Sequence, residues 1–317
     1  MKAVFLDFAT LGPGLDTNAM QKLMPGVEIF DETDSSNIAE RIRDANIVMT
    51  NKARFSADLL RNNSKLGLIA LMATGTDNVD LEAAHKHDVA VCNIRGYCTE
   101  SVAEHVFGCL LNLTHNLDRY NAMVRDGAWQ KSKDFCLMSF PIRELSSMTL
   151  GIVGNGALGK GVVKIANAFG MNVIVSARPG ANSIGEGRVS FDELLRQSDV
   201  ISLHCPLNDV TANLFAEEEF RKMKSDAILI NTARGGLIDS NALVAALKED
   251  KIGAAALDVL PQEPPVDGDP LLDYDAPNLM ITPHSAWGSN VARQAALDQM
   301  VTNIAAFLAG EEQNRVV

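Results

Sequence analysis

Leu150-Gly151-Ile152-Val153-Gly154-Asn155-Gly156-Ala157-Leu158-Gly159 is the stretch on which the fold turns. A short apolar run, long enough for a buried strand, leads straight into a G-x-G-x-x-G. A helical pattern follows over 159–169, and a second apolar run over 172–176. Strand, glycine-rich turn, helix and strand together make the βαβ unit that receives a dinucleotide. The glycines let backbone N–H groups close on a pyrophosphate at a helix N-terminus, where aligned peptide dipoles favour negative charge. Gly154, Gly156, Ala157, Leu158 and Gly159 are therefore candidate cofactor-binding residues.

The same alternation extends in both directions. Apolar runs at 3–8, 27–30, 47–50, 68–72 and 89–92 read as strands with helical patterns between most of them. One long helix is expected from Thr99 to about Arg125, as a crossover between domains. The rhythm restarts with strands at 149–153, 172–176, 200–203, 227–231, 252–259 and 279–282, and a last helix at about 289–309 closes the chain. Strands that alternate with helices build parallel sheets. The expected fold class is thus α/β, with two Rossmann-like doubly wound parallel-sheet domains.

Composition narrows the partners. The chain has 317 residues, 47% of them hydrophobic, enough to bury a core in each of two domains. Lys and Arg number 28 against 40 Asp and Glu, a net charge of −12 with no basic cluster, which argues against a nucleic-acid partner. An anionic substrate would need a local arginine. No run reaches the roughly 18–20 apolar residues of a membrane span, and Asp7 interrupts the apolar N-terminus, so neither a membrane segment nor a signal peptide is expected. The five cysteines are odd in number and contain no C-x-x-C pair, which fits reduced thiols in a cytoplasmic protein. His85 and His87 stand two apart on a short helical pattern and point apart, so no metal site is expected.

The dinucleotide fingerprint normally includes an acid about 20 residues on, which accepts hydrogen bonds from the ribose 2′-OH of NAD. No Asp or Glu occurs between Glu144 and Glu186, and the second strand ends Ser176-Ala177-Arg178-Pro179. A guanidinium can grip a 2′-phosphate that a carboxylate would repel, so Arg178 points to NADP(H) as the preferred cofactor, with NAD(H) possible.

Ligands of open α/β sheets sit beyond the carboxyl ends of the strands. Three polar residues follow successive strands there: Arg234 within Asn231-Thr232-Ala233-Arg234-Gly235-Gly236, Glu263 after Leu257-Asp258-Val259, and His284 within Thr282-Pro283-His284. Together they supply what carbonyl reduction requires. A ketone that accepts hydride becomes an alkoxide, so a proton donor is needed; His284 suits the task, and a carboxylate such as Glu263 would favour its imidazolium and orient the ring. The fork of Arg234 would bind a substrate carboxylate and polarise the keto oxygen.

These motifs, with Leu203-His204-Cys205-Pro206-Leu207, resemble the D-2-hydroxyacid dehydrogenase family in order and spacing over nearly the whole chain. Toward the N-terminus, Ala73-Thr74-Gly75-Thr76-Asp77-Asn78-Val79-Asp80 resembles the family's substrate loop, and Ser101-Val102-Ala103-Glu104-His105 its interdomain helix. The resemblance implies a substrate (catalytic) domain at 1–98 plus 288–317, a dinucleotide-binding domain at 99–287 and a cleft between them. It makes Arg234, Glu263 and His284 the catalytic trio. It places backbone N–H groups of Ala73, Thr74 and Gly75 on the substrate carboxylate, and Asp258 on the nicotinamide carboxamide. Cys205, Pro206, Thr232 and Ala233 would face the cofactor. A homodimer built on the long helix is also implied.

Thr50-Asn51-Lys52 and Asn93-Ile94-Arg95-Gly96-Tyr97 look most like the glycerate dehydrogenase or hydroxypyruvate reductase branch, which makes Lys52 a candidate substrate contact. The implied activity is NAD(P)H-dependent reduction of hydroxypyruvate and glyoxylate. Two other readings share the fold. A nucleotide-sensing corepressor would carry a long tail, whereas this sequence runs only eight residues beyond the last expected helix. A formate dehydrogenase would pair its histidine with glutamine, where this chain has Glu263.

Overall fold

The computed structural model describes residues 1–178 and 183–317, which fall into two compact units, Met1–Cys98 with Gly288–Val317 and Thr99–Trp287. The first is a five-stranded parallel sheet of β1 (Ala3–Phe5), β2 (Glu28–Ile29), β3 (Ile47–Thr50), β4 (Leu68–Leu71) and β5 (Ala90–Cys92), in the order β2-β1-β3-β4-β5. Helices α1 (Asn18–Leu23), α2 (Ile38–Arg41), α3 (Ala57–Arg61) and α4 (Leu81–Lys86) lie between the strands in sequence. β3 and β4 are buried at every position, which is why they read as unbroken apolar runs and not as alternating ones. Helix α4 starts where Asp80 accepts the N–H of Ala83 at 2.9 Å, an N-cap.

The second unit opens with α5 (Thr99–His115) and α6 (Leu117–Arg125). The single helix expected from Thr99 to about Arg125 is therefore two. The chain breaks at Asn116, whose φ is 52°, a left-handed conformation that asparagine tolerates. Its amide donates to the Pro141 carbonyl at 2.8 Å, and Asn112 accepts the N–H of Asp118 across the break at 3.1 Å.

A six-stranded parallel sheet follows. Its elements are β6 (Thr149–Val153), α7 (Ala157–Ala168), β7 (Asn172–Val175), α8 (Phe191–Gln197), β8 (Val200–Leu203), α9 (Glu217–Lys222), β9 (Ile228–Asn231), α10 (Ser240–Lys248), β10 (Ala254–Leu257) and β11 (Leu279–Ile281). The strand order is β11-β10-β9-β8-β6-β7. Its core gathers Phe215, Phe220, Leu194, Leu229 and Leu247. β10 is shorter than the apolar run 252–259, and α7 starts two residues before the expected 159 because Gly156 serves as its N-cap.

The last helix, α11 (Asn290–Leu308), returns to the first unit and packs against β4 and α1. Beyond it the C-terminal residues run along β5. Val91 donates to Val317 at 3.1 Å, Val316 donates to Val91 at 2.7 Å, and Cys92 pairs antiparallel with Arg315. This segment covers a sheet edge that would otherwise present unpaired N–H and C=O groups.

Candidate active site

In the second unit the strand order reverses at β6, with β7 on one side and β8 on the other, and the glycine-rich turn leaves β6 at that switch point. Gly154 has φ of 99°, and a Cβ there would stand 2.5 Å from the carbonyl carbon of His204, so only glycine lets β6 and β8 end this close together. At Gly156 the space a side chain would fill is open.

Among the described residues, three buried side-chain atoms at this edge have no hydrogen-bond partner: Asn155 Oδ1, His204 Nδ1 and Thr232 Oγ1. They follow β6, β8 and β9, which are neighbours in the sheet. A buried polar atom left unpaired costs about 1–3 kcal/mol, so three in a row mark a place that a polar ligand completes. Open space at Gly156, a helix N-terminus without acid in its first turn and this row of unmet groups fit a nicotinamide dinucleotide. Thr232 was visible in the sequence as a member of its motif. Asn155 and His204 were not singled out, and an unmet atom shows only once the neighbouring strands are in place.

His204 as a residue is only partly buried, yet Nδ1 is shut off from water and Nε2 is held by Ser202 Oγ at 2.8 Å. Burial pushes its pKa down to about 4. Cys205 beside it is buried, which pushes its thiol up to about 11 and leaves it without nucleophilic character; Pro206 is exposed.

Arg178 is exposed just beyond β7, while Pro179 lies outside the described residues. A second guanidinium joins it at this strand end. Val189 pairs with Ser176, and Arg188 donates from Nη1 to the Ser176 carbonyl at 2.7 Å. Sequence reading missed Arg188 because only that pairing brings it to β7.

Arg234, Glu263 and His284 follow β9, β10 and β11, which are adjacent. The turn after β9 is shaped by Asn231, whose side chain donates to the Arg234 carbonyl at 2.8 Å and accepts the Ala233 N–H at 3.0 Å. Gly235 then lies directly on the turn after β10. A Cβ there would stand 1.9 Å from the Leu260 carbonyl carbon, so the backbones touch. In that second turn the Leu260 N–H donates to Glu263 Oε1 at 3.0 Å, and Glu263 Oε2 meets His284 Nδ1 at 2.6 Å. Both side chains remain about one-third exposed, at 29% and 32%. The pair can therefore reach a substrate and exchange protons.

His284 has φ of 53°, an uncommon left-handed conformation that histidine, like Asn and Asp, adopts more readily than most residues. Its N–H donates to the Asp258 carbonyl at 2.8 Å. The Asp258 carboxylate, 2% exposed, holds the residues on either side. Oδ1 accepts the Thr282 hydroxyl and the Ser285 N–H at 2.9 Å, and Oδ2 accepts the Ala286 N–H at 2.8 Å. His105 Nε2 stands 3.1 Å from the Thr282 hydroxyl. Asp258 thus anchors the loop that presents His284, and a nicotinamide carboxamide would have to share oxygens already engaged.

In the first unit Asp7 plays a comparable part that the sequence did not announce. Its buried carboxylate accepts the Thr50 hydroxyl at 2.8 Å and the N–H groups of Asn51, Lys52 and Ala53 at 2.9, 2.7 and 3.2 Å, which curls the loop after β3 and leaves the Lys52 side chain exposed. In the loop after β4, the Ala73 and Thr74 carbonyls accept from the Ile94 N–H at 3.1 Å and the Asn93 side chain at 2.7 Å. Among the described residues, no group of at least three His, Cys, Asp or Glu is placed to hold a metal ion.

Residues 107–286 match the model of the D-isomer specific 2-hydroxyacid dehydrogenase family, NAD binding domain, and the chain belongs to that family. It is 48% identical over 320 residues to a glycerate dehydrogenase of Methylorubrum extorquens, covering 99% of this chain and 98% of the relative. It is 36% identical to a hydroxypyruvate reductase of Blautia hydrogenotrophica, covering 100% and 99%. Among solved structures, an acyclic imino acid reductase in complex with NADPH and D-Arg superposes with a TM-score of 0.88 at 29% identity, covering 100% of both chains.

The depressed pKa of His204 makes stability depend on pH. Between about 6.5, its ordinary value, and about 4, the unfolded chain binds a proton that the folded one refuses. The full contribution is therefore present above pH 6.5 and is lost as pH falls toward 4, to the extent of at most about 3 kcal/mol. Thermal midpoints recorded from pH 7 to 4.5 should fall more steeply for the wild type than for His204→Gln.

Proposed function

We propose that this dehydrogenase reduces small 2-keto acids, hydroxypyruvate and glyoxylate foremost, to D-glycerate and glycolate, with NADPH preferred and NADH usable. The observation that carries the reading is the Glu263–His284 contact of 2.6 Å, on the strand ends next to the one that bears Arg234, in the sheet that holds the glycine-rich turn. The activities for which the two relatives are named, glycerate dehydrogenase and hydroxypyruvate reductase, support the same substrates. The setting proposed is the cytoplasm, which an odd set of cysteines without a C-x-x-C pair fits.

The cofactor would lie with its pyrophosphate on Gly154, Gly156, Ala157, Leu158 and Gly159, its adenosine along Cys205 and Pro206, and its nicotinamide half toward Thr232, Ala233 and Asp258. Arg178, joined by Arg188, would take the 2′-phosphate. When bound, the reduced nicotinamide supplies hydride to the carbonyl carbon. The chain's own residues do the rest. Arg234 clamps the substrate carboxylate and draws charge toward the keto oxygen. With Nδ1 engaged by Glu263, His284 turns Nε2 to the substrate and delivers the proton that neutralises the forming alkoxide. Glu263 holds the ring in place through Nδ1. The substrate contacts proposed in the first unit are the backbone N–H groups of Ala73, Thr74 and Gly75, for a carboxylate, and Lys52.

A second copy of the chain is the proposed partner. Helix α6 buries none of its residues, and the segment after it exposes Trp129, Phe135, Met138 and Ile142, with Phe135 at 90%. An apolar surface of this kind is what a homodimer covers.

Three variants test the roles. His284→Ala should lower kcat by about 10²–10⁴-fold. Glu263→Gln, which keeps a side-chain partner for Nδ1, should lose less; equal losses would contradict this division of labour. Arg234→Lys should lose at least about 100-fold in kcat/KM, because a point charge cannot make the paired contact. For the cofactor, the ratio of kcat/KM with NADPH to that with NADH should fall at least about tenfold in Arg178→Asp, and also drop in Arg188→Ala. An unchanged ratio in both would place 2′-phosphate recognition elsewhere.

A further inference from the structure

Three asparagine side chains stand in line between the C-terminal segment and the loop after β4. Asn314 donates from Nδ2 to Asn303 Oδ1 at 3.0 Å. Asn303 donates from Nδ2 to the Asn93 carbonyl at 2.9 Å. Asn93 donates from Nδ2 to the Thr74 carbonyl at 2.7 Å. The direction is dictated by chemistry. Carbonyls only accept, so an NH2 must face each of them, and the remaining Oδ1 of Asn93 accepts from Arg95 Nε, a group that only donates, at 3.1 Å. Asn303 and Asn93 are 1% and 7% exposed. On the buried face of α11, Asn303 lies among Ala296, Leu297, Met300 and Ile304, where an aliphatic side chain would pack without an amide to satisfy. What asparagine adds there is the hydrogen bond to Asn93, just beyond β5.

The relay ends on a peptide group whose other half is functional. In a planar trans peptide the carbonyl and the following N–H point in opposite directions. The Ala73 carbonyl is pinned by the Ile94 N–H and the Thr74 carbonyl by Asn93. Both pins lie at the end of β5, so the N–H groups of Thr74 and Gly75 are turned away from it. Among the described residues neither N–H has an intramolecular partner. Successive N–H groups aimed outward form an anion-binding nest.

We propose that Asn93, backed by Asn303 and Asn314, is a positioning residue for the substrate carboxylate, so that the C-terminal segment helps set the geometry of substrate binding. This rests on the reading of 73–75 as the carboxylate site. Asn93 touches no substrate; it aims the Gly75 N–H that does.

The test uses oxamate, an unreactive carboxylate analogue of a 2-keto acid, titrated calorimetrically into the enzyme saturated with NADPH, with the NADPH dissociation constant measured on the same preparations. Asn93→Asp keeps the shape but faces the Thr74 carbonyl with an acceptor. Oxamate binding should weaken about tenfold or more while the NADPH constant stays within about twofold, and KM for hydroxypyruvate should rise more than kcat falls. Asn314→Gly carries the test if the first variant does not fold. It removes the far amide yet accommodates φ of 50° at that position, and should weaken oxamate about threefold. Wild-type oxamate affinity in the variants, or parallel loss of oxamate and NADPH binding, would overturn the proposal. Absence of oxamate binding by the wild-type enzyme would overturn the reading of 73–75 itself, and the relay's role with it.

Discussion

The carboxylate of Asp258 is the constraint on which the candidate active site depends. It is buried at the end of β10, with His105 Nε2 3.7 Å from Oδ1, and is satisfied by a hydroxyl and two backbone N–H groups from the loop after β11. A buried charge is tolerable only when so satisfied, and hydrogen bonds to an ionised acceptor are among the stronger ones. The loop is therefore held at residues 282, 285 and 286, and His284 between them takes a left-handed backbone. Held so, its ring meets Glu263. The energy that holds the histidine thus comes from an aspartate that need not take part in proton transfer.

Asp7 repeats the device in the other unit. It too follows a strand and draws together the N–H groups of an adjacent loop, but its strand, β1, is the one at which the strand order reverses. At such switch points the backbone leaves a crevice that polar atoms must fill. In the first unit the crevice by β1 is filled from within by the loop carrying Lys52. In the second it keeps three side-chain atoms unmet, which is what distinguishes a binding edge from a structural one.

How much of this was legible in the sequence follows from how local each feature is. Strands 47–50, 149–153 and 200–203 coincide with their apolar runs because parallel strands covered on both faces have no alternation to blur their ends. The glycine-rich turn was legible because Gly154 sits where a side chain would strike the neighbouring strand. The break at Asn116 was not, because hydrophobic spacing continues across it and the left-handed turn is decided by contacts to residues 112 and 141. Arg188, Asn155, His204 and the amide of Asn93 owe their significance to strand pairing and to neighbours distant in sequence. Asp258 could be read as a motif member, but its hold on 282–286 emerges only when β10 and β11 lie side by side.

Reduction of a 2-keto acid at these strand ends is most directly tested by following NADPH and NADH absorbance with the purified wild-type protein and hydroxypyruvate, glyoxylate or pyruvate, then determining the configuration of any glycerate formed. The predicted result is rapid, stoichiometric oxidation of NADPH with hydroxypyruvate, slower oxidation of NADH, and D-glycerate as product. Binding of both coenzymes without turnover of any of the three keto acids would contradict it, and would make the dinucleotide a signal and not a reactant.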